Sequence, residues 1–226
     1  MSHFSSKSSA EIPDAICFVL AGGNGERLRP LTASMPKPLL DFGAVHRLID
    51  FTLSNVRNSD LPQAYVLSQF RHEAIGRHLR ARWSSGGTPS GPIGPVILNQ
   101  PPTSGRRYRG TADAVAQNLD VVDLSARSSA PVLVLSADHV YRMDYRKLLV
   151  HHLEAGAGVT VAATTVPIDW AKHFGVIAAD PAGRIVGFEE KPRAPSCLAD
   201  APDLSLVNMG VYVFDRRLLK LAIGDL

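Results

Sequence analysis

The sequence predicts one α/β domain built on a doubly wound, mostly parallel sheet, and three observations carry that prediction. First, short continuous apolar runs recur at 15–21 (AICFVLA), 64–67, 131–136 (PVLVLS), 159–166 (VTVAATTV) and 211–214 (VYVF). Runs of this length fit strands buried on both faces, as a parallel sheet requires. Second, helix-period patterns stand between the runs, so strands alternate with helices. Third, 226 residues at 45% hydrophobic and 20% charged suffice to bury one core without disulfides or metal staples. No internal repeat, low-complexity block or second domain interrupts the pattern.

Taken in order, the opening MSHFSSKSSAEIP is Ser-rich without an apolar h-region. It reads as a flexible tail over 1–13, not a signal peptide, and leaves 14–226 as the domain. The first strand, 15–21, runs into Gly22-Gly23. Residues 47–56 place Leu48, Phe51 or Thr52, and Asn55-Val56 at helical spacing. A basic helical stretch follows, with Arg71, His72, Arg77, His78, Arg80 and Arg82. Nucleic-acid binding would need an aromatic platform that is absent there, so a solvated face or a regulatory anion site is the better reading. Residues 84–94 (SSGGTPSGPIG) are loop by composition. The basic loop 105–110 (GRRYRG) feeds a helix over 112–122, with Thr111 placed to cap it. The 131–136 strand is followed by a helix over 145–154 with Leu148, Leu149 and Leu153 on one side. A strand over 185–188, a polar connection over 192–202 and the 211–214 strand complete the chain. Asp215 reads as the N-cap of a closing helix.

Composition narrows function. A net charge of +3 requires no polyanionic partner, though it suits a phosphate-rich substrate. Cys17 and Cys197 form neither a disulfide framework nor a zinc spacing, which favours a reducing cytoplasm. No apolar run reaches the roughly 18 residues of a membrane helix.

The strongest chemical signal is 20–32, LAGGNGERLRPLT, directly after the first strand. Gly22, Gly23 and Gly25 remove side chains where a backbone must turn sharply and approach a ligand. Amides in such a turn, backed by a helix N-terminus, can hold phosphate oxygens, and Arg27 offers a fork of donors beside them. By itself the segment is equally a tight strand-to-helix turn. It is neither a dinucleotide-binding nor a Walker motif, because the spacing differs and Gly-Lys-Ser/Thr is missing. Downstream, Pro36 and Pro38 flank Lys37 and aim it in a fixed direction. Asp138 follows the 131–136 strand, at a carboxyl end where open α/β sheets bind ligands. Glu190-Lys191, after the 185–188 strand, is in isolation a solvated charge pair.

Together GGNGERLRPLT and PKPLL resemble the family of nucleoside-diphosphate-sugar pyrophosphorylases. Within it, RLIDFTLSNVRNS (47–59), SQF (68–70), YRGTADAVAQNL (108–119), ADHVYRMDY (137–145), FGV (174–176), FEEKP (188–192) and NMGVYVF (208–214) are similar to the bacterial glucose-1-phosphate adenylyltransferase branch. The resemblance covers about 15–217. It implies a Rossmann-like, glycosyltransferase-A-like sheet and a cytoplasmic, allosteric enzyme of glycogen synthesis. That enzyme makes ADP-glucose from ATP and glucose 1-phosphate with Mg2+, and contacts neither nucleic acid nor membrane. Leu20, Ala21, Gly22, Gly23, Gly25, Gly110 and Thr111 would hold the nucleotide. Arg27 and Lys37 would stabilise charge during transfer, and Asp138 would bind Mg2+. Tyr108, Gly175, Glu190, Lys191 and Asn208 would hold the sugar phosphate, although Tyr108 reads equally as a loop anchor.

Some positions depart from the family pattern. Val45 stands where some relatives carry an activator-binding lysine, so fructose-bisphosphate control of that type is not implied. Arg107 stands where some carry Trp, and Asn208 replaces a frequent Ser. Full-length relatives, which form homo-oligomers, continue to a second metal-binding aspartate and a left-handed β-helix. The sequence holds neither, so impaired turnover is expected. Another hexose-1-phosphate nucleotidyltransferase, such as a mannose-1-phosphate guanylyltransferase, is one alternative. A non-catalytic nucleotide-binding subunit is the other.

Overall fold

A computed structural model describes residues 15–23, 25–43, 45–83, 87–88, 91–92, 96–100, 107–120 and 130–223 of the chain. The expected tail over 1–13, and parts of the 84–94 and 105–110 loops, lie outside these residues.

The first strand, β1 (Ile16–Leu20), is apolar throughout and buried along nearly its whole length. Its alternate residues feed two cores. Cys17 and Val19 face one layer of helices, and Ile16 and Phe18 face the other. A hairpin of β2 (Asp41–Phe42) and β3 (His46–Arg47) leads into α1 (Leu48–Asn58). The N-terminus of α1 is closed by Asp50, whose Oδ2 accepts the Arg47 N–H at 2.8 Å. β4 (Gln63–Leu67) then lies parallel to β1, and α2 (His72–Trp83) packs Ile75 and Leu79 into the same core as Ile49, Leu53 and Val56 of α1. Two short strands, β5 (Gly87–Thr88) and β6 (Gly91–Pro92), pair inside the stretch expected to be loop. β7 (Val96–Gln100) is parallel to β4.

The helix expected over 112–122 is α3 (Thr111–Ala116), with two more helical residues at 119–120. Residues 121–129 lie outside the description. Gly110, not Thr111, is its N-cap, and Thr111 occupies the first helical position. The capping work passes to Asp113, whose Oδ2 accepts the Arg109 N–H at 2.7 Å. A carboxylate one turn in can satisfy a free amide as well as a cap residue does.

β8 (Val132–Ser136) inserts beside β1 and parallel to it. The spatial order β7-β4-β1-β8 is that of a doubly wound sheet, with the reversal of winding between β1 and β8. α4 (Tyr145–Glu154), capped by Asp144, covers one face with Tyr145 and Leu149. The sheet then gains an antiparallel half. β9 (Val159–Pro167), the one-turn α5 (Ile168–Ala171), β10 (Gly175–Ala179), β11 (Ile185–Glu190) and β12 (Leu204–Phe214) extend it to eight strands. β12 is much longer than the expected 211–214. Its second half pairs with β8, its first half meets β10, and β9 runs along most of its length. β10 is not expected from its short GVIAA run, although Asp180-Pro181-Ala182-Gly183 marks the turn that joins it to β11. The closing helix α6 (Arg216–Ile223) is capped by Asp215, whose Oδ1 accepts the Leu218 N–H at 2.9 Å, as expected. Leu219 of α6 joins Ala114 and Val115 of α3 in the second core.

Among the described residues no helix is long and apolar enough to cross a membrane.

Candidate active site

A cleft of about 850 Å3 opens at the carboxyl ends of β1, β4 and β8, where the winding reverses. A doubly wound sheet separates its loops there and leaves a crevice. Leu20 to Gly23, Gly25 and Arg27 line it from β1, Leu67 and Gln69 from β4, and Ser136 and Asp138 from β8. Lys37 and the 108–111 turn close its sides. Every residue assigned from the sequence to nucleotide, charge or metal therefore falls in one crevice.

The glycine loop differs in detail from expectation. No α-helix follows it. Glu26–Leu28 forms a single 3-10 turn, so phosphate contacts there would come from backbone amides and Arg27 without a sizeable helix dipole. Gly25 lies in the left-handed region at φ +63°, and a Cβ there would sit 2.9 Å from Thr32 Cγ2 and 3.0 Å from Lys37 Cβ. Thr32 Oγ1 donates to the Gly25 carbonyl at 2.8 Å and locks the turn. A Cβ on Gly23 would meet no protein atom within 4 Å. Gly25 is thus required by the fold, whereas Gly23 leaves space in the cleft. Arg27 is exposed and has no side-chain partner among the described residues.

Lys37 and Asp138, 101 residues apart in sequence, meet at 2.7 Å between Nζ and Oδ2. Ser136 Oγ donates to Asp138 Oδ1 at 3.0 Å, and His139 Nδ1 lies 3.6 Å from the same oxygen. His139, Lys37 and Ser136 together hold the Asp138 carboxyl far below the usual range, outweighing the opposite push of burial. The site thus presents an ionised oxygen donor at neutral pH. Among the described residues no group of three or more His, Cys, Asp or Glu side chains could hold a metal by itself.

Tyr108 is 8% exposed and forms part of the second core. Its backbone N–H donates to Gln69 Oε1, and Gln69 Nε2 donates back to its carbonyl at 3.3 Å. Asn118 Nδ2 donates to its hydroxyl at 3.1 Å. Burial raises the Tyr108 phenol above its ordinary range. Tyr108 therefore anchors the 108–111 turn to β4, and Gln69, which sequence reasoning did not single out, is the other half of that anchor. A polar residue just past a strand end, within the SQF segment, was the available signal.

Gly175, Glu190, Lys191 and Asn208 do not line the cleft. Asn208 lies on β12, and Gly175, Glu190 and Lys191 lie on or next to the strands beyond it, at the same end of the sheet. Val211 is opposite Leu135, so Gly210 lies beside Ser136 at the end of β8 and Asn208 just past it. Val207 is opposite Val176, which brings the Gly175–Glu190 pair alongside. A Cβ on Gly175 would sit 2.6 Å from the Phe188 ring, so this glycine makes room for that side chain. Lys191 adopts φ +50°, donates its N–H to the Phe174 carbonyl at 2.9 Å and pairs with Glu190. Asn208 Nδ2 donates to the Tyr212 hydroxyl at 2.5 Å, and its Oδ1 accepts the Gly210 N–H at 2.8 Å.

The basic stretch of α2 is partly structural. His78 Nε2 and Trp83 Nε1 both reach the buried Asp50 Oδ1, at 2.7 and 2.9 Å. Arg82 and Arg71 make long contacts to the carbonyls of Val45 and Ala33.

Comparison with known proteins agrees with this geometry. A family model described as nucleotidyl transferase matches residues 16–226. The chain is 45% identical over 201 residues to glucose-1-phosphate adenylyltransferase 1 of Vibrio vulnificus, covering 89% of this chain and 49% of that one. It is 43% identical over 206 residues to glucose-1-phosphate adenylyltransferase 2 of Alkalilimnicola ehrlichii, covering 91% and 48%. It is 41% identical over 208 residues to the glucose-1-phosphate adenylyltransferase of Thermodesulfovibrio yellowstonii, covering 92% and 50%. The chain spans about half the length of these curated relatives.

Proposed function

We propose, from the premise that this chain belongs to the nucleotidyl transferase family, that it forms ADP-glucose and pyrophosphate from ATP and glucose 1-phosphate. The observation that carries this reading is the convergence of the glycine loop, Arg27, Lys37 and Asp138 on one crevice at the sheet's switch point. The names of the three relatives supply the substrates.

The chemistry asks little of a general base. A phosphate oxygen of glucose 1-phosphate is ionised at neutral pH and attacks the α-phosphorus of ATP. The new P–O bond forms as the bond to the α,β-bridging oxygen breaks, and pyrophosphate leaves with the electron pair. Catalysis is then positioning and charge neutralisation. The backbone of Leu20, Ala21, Gly22 and Gly23 holds the nucleotide from one side, and Gly110 and Thr111 hold it from the other. Arg27 takes the triphosphate oxygens. Lys37 neutralises charge at the reacting phosphate. Glu190, Lys191, Asn208 and Gly175 present the sugar phosphate, and Tyr108 keeps the intervening turn in place.

Mg2+ fits these donors. One ionised carboxylate plus substrate phosphates is a usual way to hold it, and Asp138 would be the protein's contribution. Such an ion, when bound, neutralises charge developing on the phosphates. Free, unpaired Cys17 and Cys197 support a cytoplasmic setting.

Measuring pyrophosphate release for each nucleoside triphosphate with each sugar 1-phosphate tests the reading. ATP with glucose 1-phosphate should be fastest. A maximum with GTP and mannose 1-phosphate would move the assignment to a guanylyltransferase. ATP binding without turnover for any pair would make the chain a binding subunit.

A further inference from the structure

We propose that Ser136 is a positioning residue for Asp138 and that the bulge of β12 at Asn208–Gly210 makes room for the Ser136 side chain. The inference rests on the reading of Asp138 as the metal carboxylate.

Each oxygen of Asp138 has one close donor. Oδ2 takes Lys37 Nζ at 2.7 Å, and Oδ1 takes Ser136 Oγ at 3.0 Å. The two donors are built differently. Lys37 projects a long chain from a three-residue 3-10 turn. Ser136 is the last residue of β8 and has little freedom. Its carbonyl accepts the hydroxyl of fully buried Thr52 at 3.0 Å. On the neighbouring strand Gly210 lies beside it and, lacking a Cβ, leaves the space that the Ser136 side chain fills. A Cβ on Gly210 would lie 3.1 Å from Ser136 Cβ and 3.5 Å from Ser136 Oγ.

The bulge that brings Gly210 there is itself locked. Gly210 has φ +68°, a conformation natural to glycine. Both ends of the Asn208 amide are committed to this shape, the oxygen to the Gly210 N–H and the nitrogen to the Tyr212 hydroxyl. The strand register breaks between Asn208 and Tyr212 at the same place. Such bulges re-aim side chains beside active sites.

The consequence concerns the substrate-loaded site. When Lys37 moves to a phosphate it leaves Oδ2. Ser136 is then the closest remaining donor to the carboxylate, with His139 Nδ1 farther off at 3.6 Å from the same oxygen. Loss of the Ser136 hydroxyl should therefore weaken binding that depends on a divalent cation and spare binding that does not. A merely structural serine would show no such selectivity.

The test uses Ser136→Ala in the full chain, with ATP titrated calorimetrically in Mg2+ and again in EDTA. Mn2+ bound in the presence of ATP is followed in parallel by electron paramagnetic resonance. Affinity for ATP in Mg2+ should fall about tenfold, while affinity in EDTA stays within about twofold of the parent. The melting temperature should move by no more than about 2 °C. Gly210→Ala should reproduce the Mg2+-selective loss without touching Asp138, together with a lower melting temperature. A parent that binds ATP more tightly in Mg2+ and a Ser136→Ala variant with the same ratio would overturn the positioning role alone. A parent indifferent to Mg2+ would overturn the metal reading of Asp138 and this inference with it.

Discussion

Lys37 and Asp138 neutralise one another across 2.7 Å, in a cleft where each is assigned a different partner during catalysis. For Lys37 to reach a phosphate it must give up Asp138, and the two substitutions should show this. Asp138→Asn removes the carboxylate while leaving a side chain of the same shape. Mg2+-dependent turnover should be abolished. ATP binding measured in EDTA should tighten severalfold, because Lys37 becomes available and a negative charge has left the cleft. Weaker binding in EDTA would show that the pair does not compete with the nucleotide. Lys191 serves the other substrate in this reading. Lys191→Ala should raise KM for glucose 1-phosphate about ten- to a hundredfold, the loss of a charge-assisted contact worth roughly 1.5–3 kcal/mol. The KM for ATP should change much less, and equal changes in both would remove Lys191 from the sugar phosphate.

At the scale of elements, the glycine loop divides into a part that folding needs and a part that the ligand needs. Gly25→Ala meets a left-handed φ, costing about 1–2 kcal/mol, and in addition a Cβ 2.9 Å from Thr32. The variant should unfold at lower temperature and lose activity through displacement of Lys37. Gly23→Ala meets no protein atom and should keep the parent's thermal stability, yet its methyl group enters the cleft and should weaken ATP binding. Thermal melts and ATP titrations of the two variants check this. A stable Gly25→Ala, or a Gly23→Ala that binds ATP normally, would contradict it.

For the molecule as a whole, acid should act first through a buried histidine. His152 on α4 is 3% exposed, and its Nδ1 lies 2.8 Å from Thr160 Oγ1 on β9. Burial lowers its pKa, with His151 adding to the effect and Asp215 opposing it. A histidine whose folded pKa lies below its unfolded value is favoured neutral by the fold. Its contribution is complete above the unfolded value of about 6.5 and is lost as pH falls toward the folded one. Denaturant midpoints should therefore drop between neutral pH and mild acid, and His152→Gln should flatten that drop. Asp50 acts at lower pH. Its carboxyl is held low by His78, the Arg47 amide and Trp83 against the cost of burial, so its share is lost only below about pH 4. An unchanged slope in His152→Gln would assign the acid sensitivity elsewhere.

The sequence by itself determined the centre of this protein. β1 is apolar at every position and β8 at every position but its last, Ser136, because strands covered on both faces need no alternation, and such runs are visible without a structure. The glycine loop and Asp138 stand directly after those strands, and the switch point of the sheet is built from strand ends. Tertiary structure decided what depended on neighbours far away in the chain. The extent of β12 and the role of His78 beneath α1 follow from partners that local pattern does not reveal. The same holds at the site. Lys37 finds Asp138 across 101 residues, and room for the Ser136 side chain comes from Gly210 on another strand. Local propensity and period are written in consecutive residues, whereas ion pairs and backing contacts exist only once the chain has brought distant segments within hydrogen-bonding distance.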